Sequence, residues 1–206
     1  MMASTSPLKV GLTDMFLITI SVLLFSYLSV FYDAIPTLAA KSQIGMSLLI
    51  AGLVMSVLFV GVQVEGAFLP GWKQNLLWFG VAIASLLLGS AVLGRFNFGT
   101  TIAVPPEVSI AFGLQMAVAE EVFFRGFLAS FFSRYVFRGG LIIGAFMSAL
   151  VWTVYHFYVY GTSVATLAFV FVVGLGWGIA FLGSGKSLWI TMVAHALQNL
   201  RAGLGG

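Results

Sequence analysis

The stretch Met15–Tyr32, MFLITISVLLFSYLSVFY, carries no charge between Asp14 on one side and Asp33 on the other. A helix needs about 20 consecutive apolar residues to cross the hydrocarbon of a bilayer, and this run has that length. Its neighbours repeat the pattern. The segments between Lys41 and Glu65 and between Lys73 and Arg95 are also charge-free and long enough to span. Pro36 interrupts the first connection and Pro70-Gly71 the second, both turn-forming signals that do not continue a helix.

Beyond Arg95 the chain becomes polar and turn-rich, Asn97 to Glu107, and the pair Pro105-Pro106 within it is a start signal for a fourth helix over about Val108 to Ser133. Arg134, Arg138, Gly139 and Gly140 close that helix. A fifth is expected over Leu141 to Tyr160, a sixth over Val164 to Leu182 and a seventh over Ser187 to Leu200. The expected fold is therefore an all-α membrane protein, a polytopic bundle of about seven transmembrane helices. It divides into an N-terminal three-helix membrane region with its connecting loop, 1–107, and a helical core, 108–206. Gly174, Gly176 and Gly178 in the sixth segment predict a face where neighbouring helices approach closely.

Composition agrees with this architecture. Of 206 residues, 61% are hydrophobic and 7% are charged, whereas a soluble domain carries about 25% charged residues. The absence of cysteine removes disulfides, thiolate metal sites and cysteine nucleophiles from consideration. Nine Lys and Arg against six Asp and Glu give a net charge of +3, and the cations are scattered singly, which excludes a nucleic-acid partner. The lipid bilayer and a peptide or membrane-protein substrate are the partners expected.

Lys9 precedes the first apolar run without a small-residue cleavage site after it, so that run is read as a retained helix. Lys9, Lys73, Arg134, Arg138 and Lys186 fall on the N-terminal side of such a bundle; Lys41, Arg95 and Arg201 fall on the other. That bias predicts a cytoplasmic N-terminus in the plasma membrane.

Ionisable side chains within a span cost at least about 2.5–3.5 kcal/mol on insertion scales, so each demands a partner or a function. In this reading they occur in the second half alone. Glu120, Glu121 and Arg125 lie deep in the fourth helix. Glu121 and Arg125 are four apart and can pair, with the carboxylate on the favourable N-terminal side. Glu120 is rotated about 100° from Glu121 and has no local partner. His156 sits on the fifth helix, one turn after Trp152. His195 and Asn199 share a face of the seventh.

At about 1.5 Å per residue, Glu120 lies about 21 Å and His156 about 22 Å from the Arg134–Arg138 loop, so the two are level. The same arithmetic puts His195 only about 13 Å from Lys186, short by roughly 8 Å, which tilt or a re-entrant Gly183-Ser184-Gly185 turn would have to close. Together these groups offer what amide hydrolysis needs: a base for water, a clamp for the developing oxyanion and a proton donor for the leaving amine.

Glu-Glu-x-x-x-Arg at 120–125, aromatic-x-x-x-His at 152–156 and His-x-x-x-Asn at 195–199, in that order and each on an expected span, resemble the three motifs of the CAAX-protease and bacteriocin-processing (CPBP, or Abi) family of intramembrane peptidases. The resemblance covers about Gln115 to Arg201. Two features depart from it: Trp152 stands where the family usually has Phe, and the additional helix of larger members is not seen.

The resemblance implies an intramembrane endopeptidase that hydrolyses a peptide bond near the membrane with a Glu/His-activated water, CAAX-type C-terminal processing being the namesake reaction. It implies Glu120 as general base with His156 assisting, Glu121 and Arg125 ordering the site and substrate, and His195 and Asn199 stabilising the tetrahedral intermediate. Trp152 is expected to touch substrate.

Members are commonly labelled metalloproteases, and Glu120, His156 and His195 are the candidate ligands of a three-ligand zinc site with an open position. The chain lacks His-Glu-x-x-His, however. The expectation is a Glu-activated water with no cofactor required, zinc being the alternative. Two other classes compete. One is a non-catalytic membrane scaffold or immunity protein of the same fold. The other is a proton-coupled transporter, which predicts matching helix breaks in two similar halves, and no such repeat is present.

Overall fold

A computed structural model describes residues 7–66, 72–93, 104–136, 140–160 and 163–203. Pro70-Gly71, Arg95, the stretch from Asn97 to Ala103, and Arg138-Gly139 lie outside the described residues. Helix α1 (Leu12–Leu28) ends in a 3₁₀ turn, Ser29–Phe31, and α2 (Pro36–Met55) runs on as π-helix, Ser56–Val60; α3 is Trp72–Leu93. The next rod begins as Pro106–Glu120, continues through a π-helical segment, Glu121–Ala129, and ends as Ser130–Tyr135; we number the whole rod α4. Then follow α5 (Leu141–Tyr160), α6 (Val164–Gly183) and α7 (Leu188–Gly203).

The architecture is the expected all-α membrane bundle. Leu12–Phe31, Pro36–Val60 and Val164–Gly183 are long and apolar enough to cross a bilayer by length and composition, and Asn75–Ala91 and Leu141–Phe157 are shorter apolar stretches. Large apolar side chains such as Phe16, Val30, Leu58, Leu77 and Ile142 are exposed on the outer faces, which only a lipid environment makes favourable.

Pro36 and Pro106 each open a helix from its first turn, where the missing N–H costs nothing. Ser163 caps α6 by accepting the Thr166 N–H. Helices α4, α5, α6, α3 and α7 form a ring in which each packs on the next, and α1 and α2 lie against the outside of α4. Glycines set the closest approach. An added Cβ at Gly174 would collide with the Trp152 ring and one at Gly178 would meet the Ala145 backbone, both on α5, so the small-residue face of α6 is a packing face as expected.

Three features differ from the sequence reading. First, β1 (Leu8–Val10) and β2 (Val62–Val64) form a short parallel pair. Lys9 also bridges to Ser187 on the other edge and pairs with Glu65 at 3.5 Å. Strands of three residues are too short to show alternation.

Second, Asp14 is not a charge at the membrane edge: it is fully buried, accepting the Gly11 N–H at 2.8 Å and the backbone N–H of Trp189. It thereby joins the first turn of α1 to the first turn of α7, and embedded ionisable groups are not confined to the second half.

Third, the depth of His195 is corrected. Between Glu120 and Arg134 most of α4 is π-helix, whose wider turns advance less per residue than α-helix. The turn before α7 is also folded inward: Gly185 and Lys186 take positive φ (79° and 70°), and Lys186 is 1% exposed beneath β1, its carbonyl accepting the Lys9 N–H. α7 therefore starts inside the protein, and the gap closes.

Candidate active site

Glu120 and Glu121 fall where α4 changes from α- to π-helix, and both carboxylates enter the ring of helices. Glu121 is fully buried, at 3.1 Å from Arg125 Nη1 and 3.0 Å from His195 Nδ1. The hydroxyl of Thr191, one turn before His195 on α7, also lies beside it. Arg125, equally buried, stacks its guanidinium on Trp152, 4.2 Å from the ring centroid, and reaches Trp177 at 5.5 Å. The expected Glu121–Arg125 pair is therefore present, extended by an imidazole and two indoles.

Glu120 meets its nearest partners across the bundle. Its Oε2 accepts the Trp152 indole N–H at 2.8 Å and lies 3.7 Å from His156 Nε2 and 4.0 Å from His195 Nε2. His156 Nδ1 is 2.8 Å from the Trp152 carbonyl. A carbonyl only accepts, so His156 Nδ1 carries a hydrogen. His195 Nδ1 faces the carboxylate of Glu121, ion-paired with Arg125, so it too carries one. In the neutral imidazoles both Nε2 atoms then present lone pairs toward Glu120 Oε2. Three acceptors converge on one small space.

The three motifs therefore meet: Glu120, Glu121, Arg125, Trp152, His156 and His195 form one cluster. Asn199 stands apart from it. Its amide donates to the Gly113 carbonyl at 2.8 Å, where an added Cβ on Gly113 would press on Asn199, and it clamps α7 to α4 two turns from Glu120. The partner of His195 Nδ1 is Glu121. Trp152 is 4% exposed, its indole turned onto Glu120 rather than to an open surface. Two contributors escaped the sequence reading. Thr191 carried a signal, four residues before His195 on one helix face; Trp177, whose ring is 4.8 Å from that of His195, carried none.

A tetrahedral zinc with bonds of about 2.0–2.1 Å holds its ligand atoms roughly 3.3–3.5 Å apart. The separations from Glu120 Oε2 are wider, at 3.7 and 4.0 Å, and that oxygen already accepts an indole N–H. Among the described residues no three His, Asp or Glu side chains are grouped to hold a metal ion. The donor types suit zinc; their spacing here does not.

Residues 102–201, just under half the chain, match the family described as Type II CAAX prenyl endopeptidase Rce1-like. That region is similar to the Rce1-like family. The match starts before α4 and ends within α7, so it includes every residue of the cluster, and it bears out the resemblance drawn from the three motifs. No curated protein and no solved structure matches the chain. The similarity supports a CAAX-type protease kind, and together with the three helices long and apolar enough to cross a bilayer it supports an integral membrane protein.

Proposed function

We propose that the chain is an intramembrane endopeptidase in which Glu120 activates a water molecule held between its Oε2 and the Nε2 atoms of His156 and His195. The observation that carries this reading is the convergence of three acceptors on one space. A water in that space donates one hydrogen to Glu120 Oε2 and the other to an imidazole Nε2, which leaves a lone pair on its oxygen to attack a carbonyl carbon.

In the first step Glu120 takes a proton from that water as its oxygen bonds to the scissile carbonyl carbon, whose π electrons move onto oxygen. In the second the tetrahedral intermediate collapses, the C–N bond breaks, and Glu120 returns the proton to the leaving amine. His156, fixed by the Trp152 carbonyl, orients the water. His195 is oriented by Glu121 and, when it carries a proton on Nε2, donates a hydrogen bond to the oxyanion and keeps that proton as the C–N bond breaks. Arg125 holds Glu121 in place, and Asn199 keeps α7 at the distance from α4 that this geometry needs. No bound metal enters these steps.

The substrate class that the Rce1-like family suggests is a protein or peptide ending in a prenylated Cys-aliphatic-aliphatic-X sequence. Lys9, Arg134 and Lys186 gather at one end of the bundle, around β1 and the turn before α7, which supports a cytoplasmic N-terminus in the plasma membrane.

Purified protein is expected to release the C-terminal tripeptide from a prenylated peptide of this type, to leave its unprenylated counterpart largely intact, and to contain much less than one transition metal ion per chain. Cleavage that vanishes on chelation and returns with stoichiometric zinc would overturn the metal-free mechanism. Absence of cleavage by stable protein would favour the scaffold reading.

A further inference from the structure

Trp152 touches more of the cluster than any other side chain in it. Its indole N–H donates to Glu120 Oε2 at 2.8 Å, and its carbonyl accepts from His156 Nδ1 at 2.8 Å. The Arg125 guanidinium lies on one face of its ring at 4.2 Å, and the ring is 5.7 Å from that of Trp177 and 4.6 Å from that of His156. Behind it Gly174 leaves room that a Cβ would remove. The ring is thus held from several sides, and its single polar atom is aimed at the carboxylate.

We propose that Trp152 is a positioning residue for the general base: its indole N–H fixes the rotation of the Glu120 carboxylate so that Oε2 faces the space between the two imidazoles. This rests on the peptidase reading above. A free carboxylate rotates about its last bond with a broad preference. The indole N–H is a donor only, so it occupies one lone pair of Oε2 and leaves the second for the water. A phenylalanine at 152 would fill most of the same space and donate nothing, and the Trp152 carbonyl on His156 would be preserved because it belongs to the backbone. The role is therefore separable from packing.

The test pairs kinetics with spectroscopy on the full-length protein in detergent. With a prenylated Cys-aliphatic-aliphatic-X peptide as probe, Trp152→Phe is expected to lower kcat by about tenfold to a hundredfold, the rate equivalent of a lost hydrogen bond to a charged group, with KM within about twofold. Gly174→Ala, which displaces the indole without deleting it, should lower kcat in the same way. Trp189→Phe, which removes from the same core a buried indole whose N–H makes no hydrogen bond among the described residues, should leave kcat unchanged.

In ultraviolet resonance Raman spectra, the wild-type-minus-Trp152→Phe difference isolates the Trp152 indole, whose N–H marker band should report a strong hydrogen bond that is lost in Glu120→Ala. Wild-type kcat in Trp152→Phe, or a band that does not respond to Glu120→Ala, would overturn the proposal. If the wild type itself fails to cleave the probe, the peptidase reading falls. The Raman comparison then decides the hydrogen bond alone, an unresponsive band still overturning it.

Discussion

Two buried carboxylates, Asp14 and Glu120, mark two regions of the molecule that are built on opposite principles. Asp14 meets backbone donors, the N–H groups of Gly11 and Trp189, and these belong to the first turns of two helices. It behaves as a cap shared between α1 and α7. Glu120 meets one indole donor and two imidazole nitrogens that are acceptors like itself. The first arrangement ties the carboxylate to backbone donors and holds the starts of two helices together. The second sets the carboxylate against two imidazole nitrogens, and that difference separates a structural acid from the one proposed to do chemistry.

Glu121 combines both characters, and its loss should be the most damaging to stability. Removing Arg125 strands a fully buried carboxylate, at a cost of about 3–5 kcal/mol. Arg125→Met is expected to lower thermal stability in detergent by that amount, and Glu121→Gln combined with it should recover a large part. A double-mutant cycle checks the coupling, and additive losses would show that the pair at 3.1 Å contributes nothing.

Asp14→Ala should cost less, about 1–3 kcal/mol for the accepted hydrogen bonds. Because Asp14 caps α7 without touching the cluster, kcat should stay within about twofold. A kcat loss larger than tenfold with a small stability loss would erase the distinction between the two regions.

A further effect, confined to alkaline pH, is expected at Lys186, in the turn before α7, where burial brings its ammonium down to about 8 from the usual 10.5. Below about pH 8 the lysine is charged in both states and the penalty is fully present. Between about pH 8 and 10.5 the folded state releases its proton while the unfolded state keeps it, so stability rises with pH there. The slope is at most about 1.4 kcal/mol per pH unit. Thermal melts at pH 7.5 to 10 should show this rise, relative to Lys186→Met, and a flat difference would contradict it.

Much of this was legible in the sequence. Charge-free runs and prolines placed the helices, because the bilayer imposes length and excludes charge. The three motifs named the cluster, because buried ionisable groups in a membrane must find one another. What was hidden had physical reasons. The π-helical stretch Glu121–Ala129 left no mark because nine residues are too few for a period to tell wider turns from α-helical ones. β1 and β2 pair residues far apart in the chain over three positions. Asp14 sits at the end of a charge-free run and looked like solvent-exposed punctuation; only the arrival of α7 shows it to be buried. The depth of His195 depended on the inward turn at Gly185-Lys186, which the sequence could only offer as one way to close a gap.

The central claim is that Glu120 performs the chemistry and does not hold up the fold. Glu120→Gln keeps the size of the side chain and a carbonyl oxygen for the Trp152 indole, while removing the base. The account predicts that the purified variant melts within a few degrees of the wild type and cleaves a prenylated Cys-aliphatic-aliphatic-X peptide about a hundredfold to ten-thousandfold more slowly. Wild-type cleavage by a well-folded Glu120→Gln protein would contradict it.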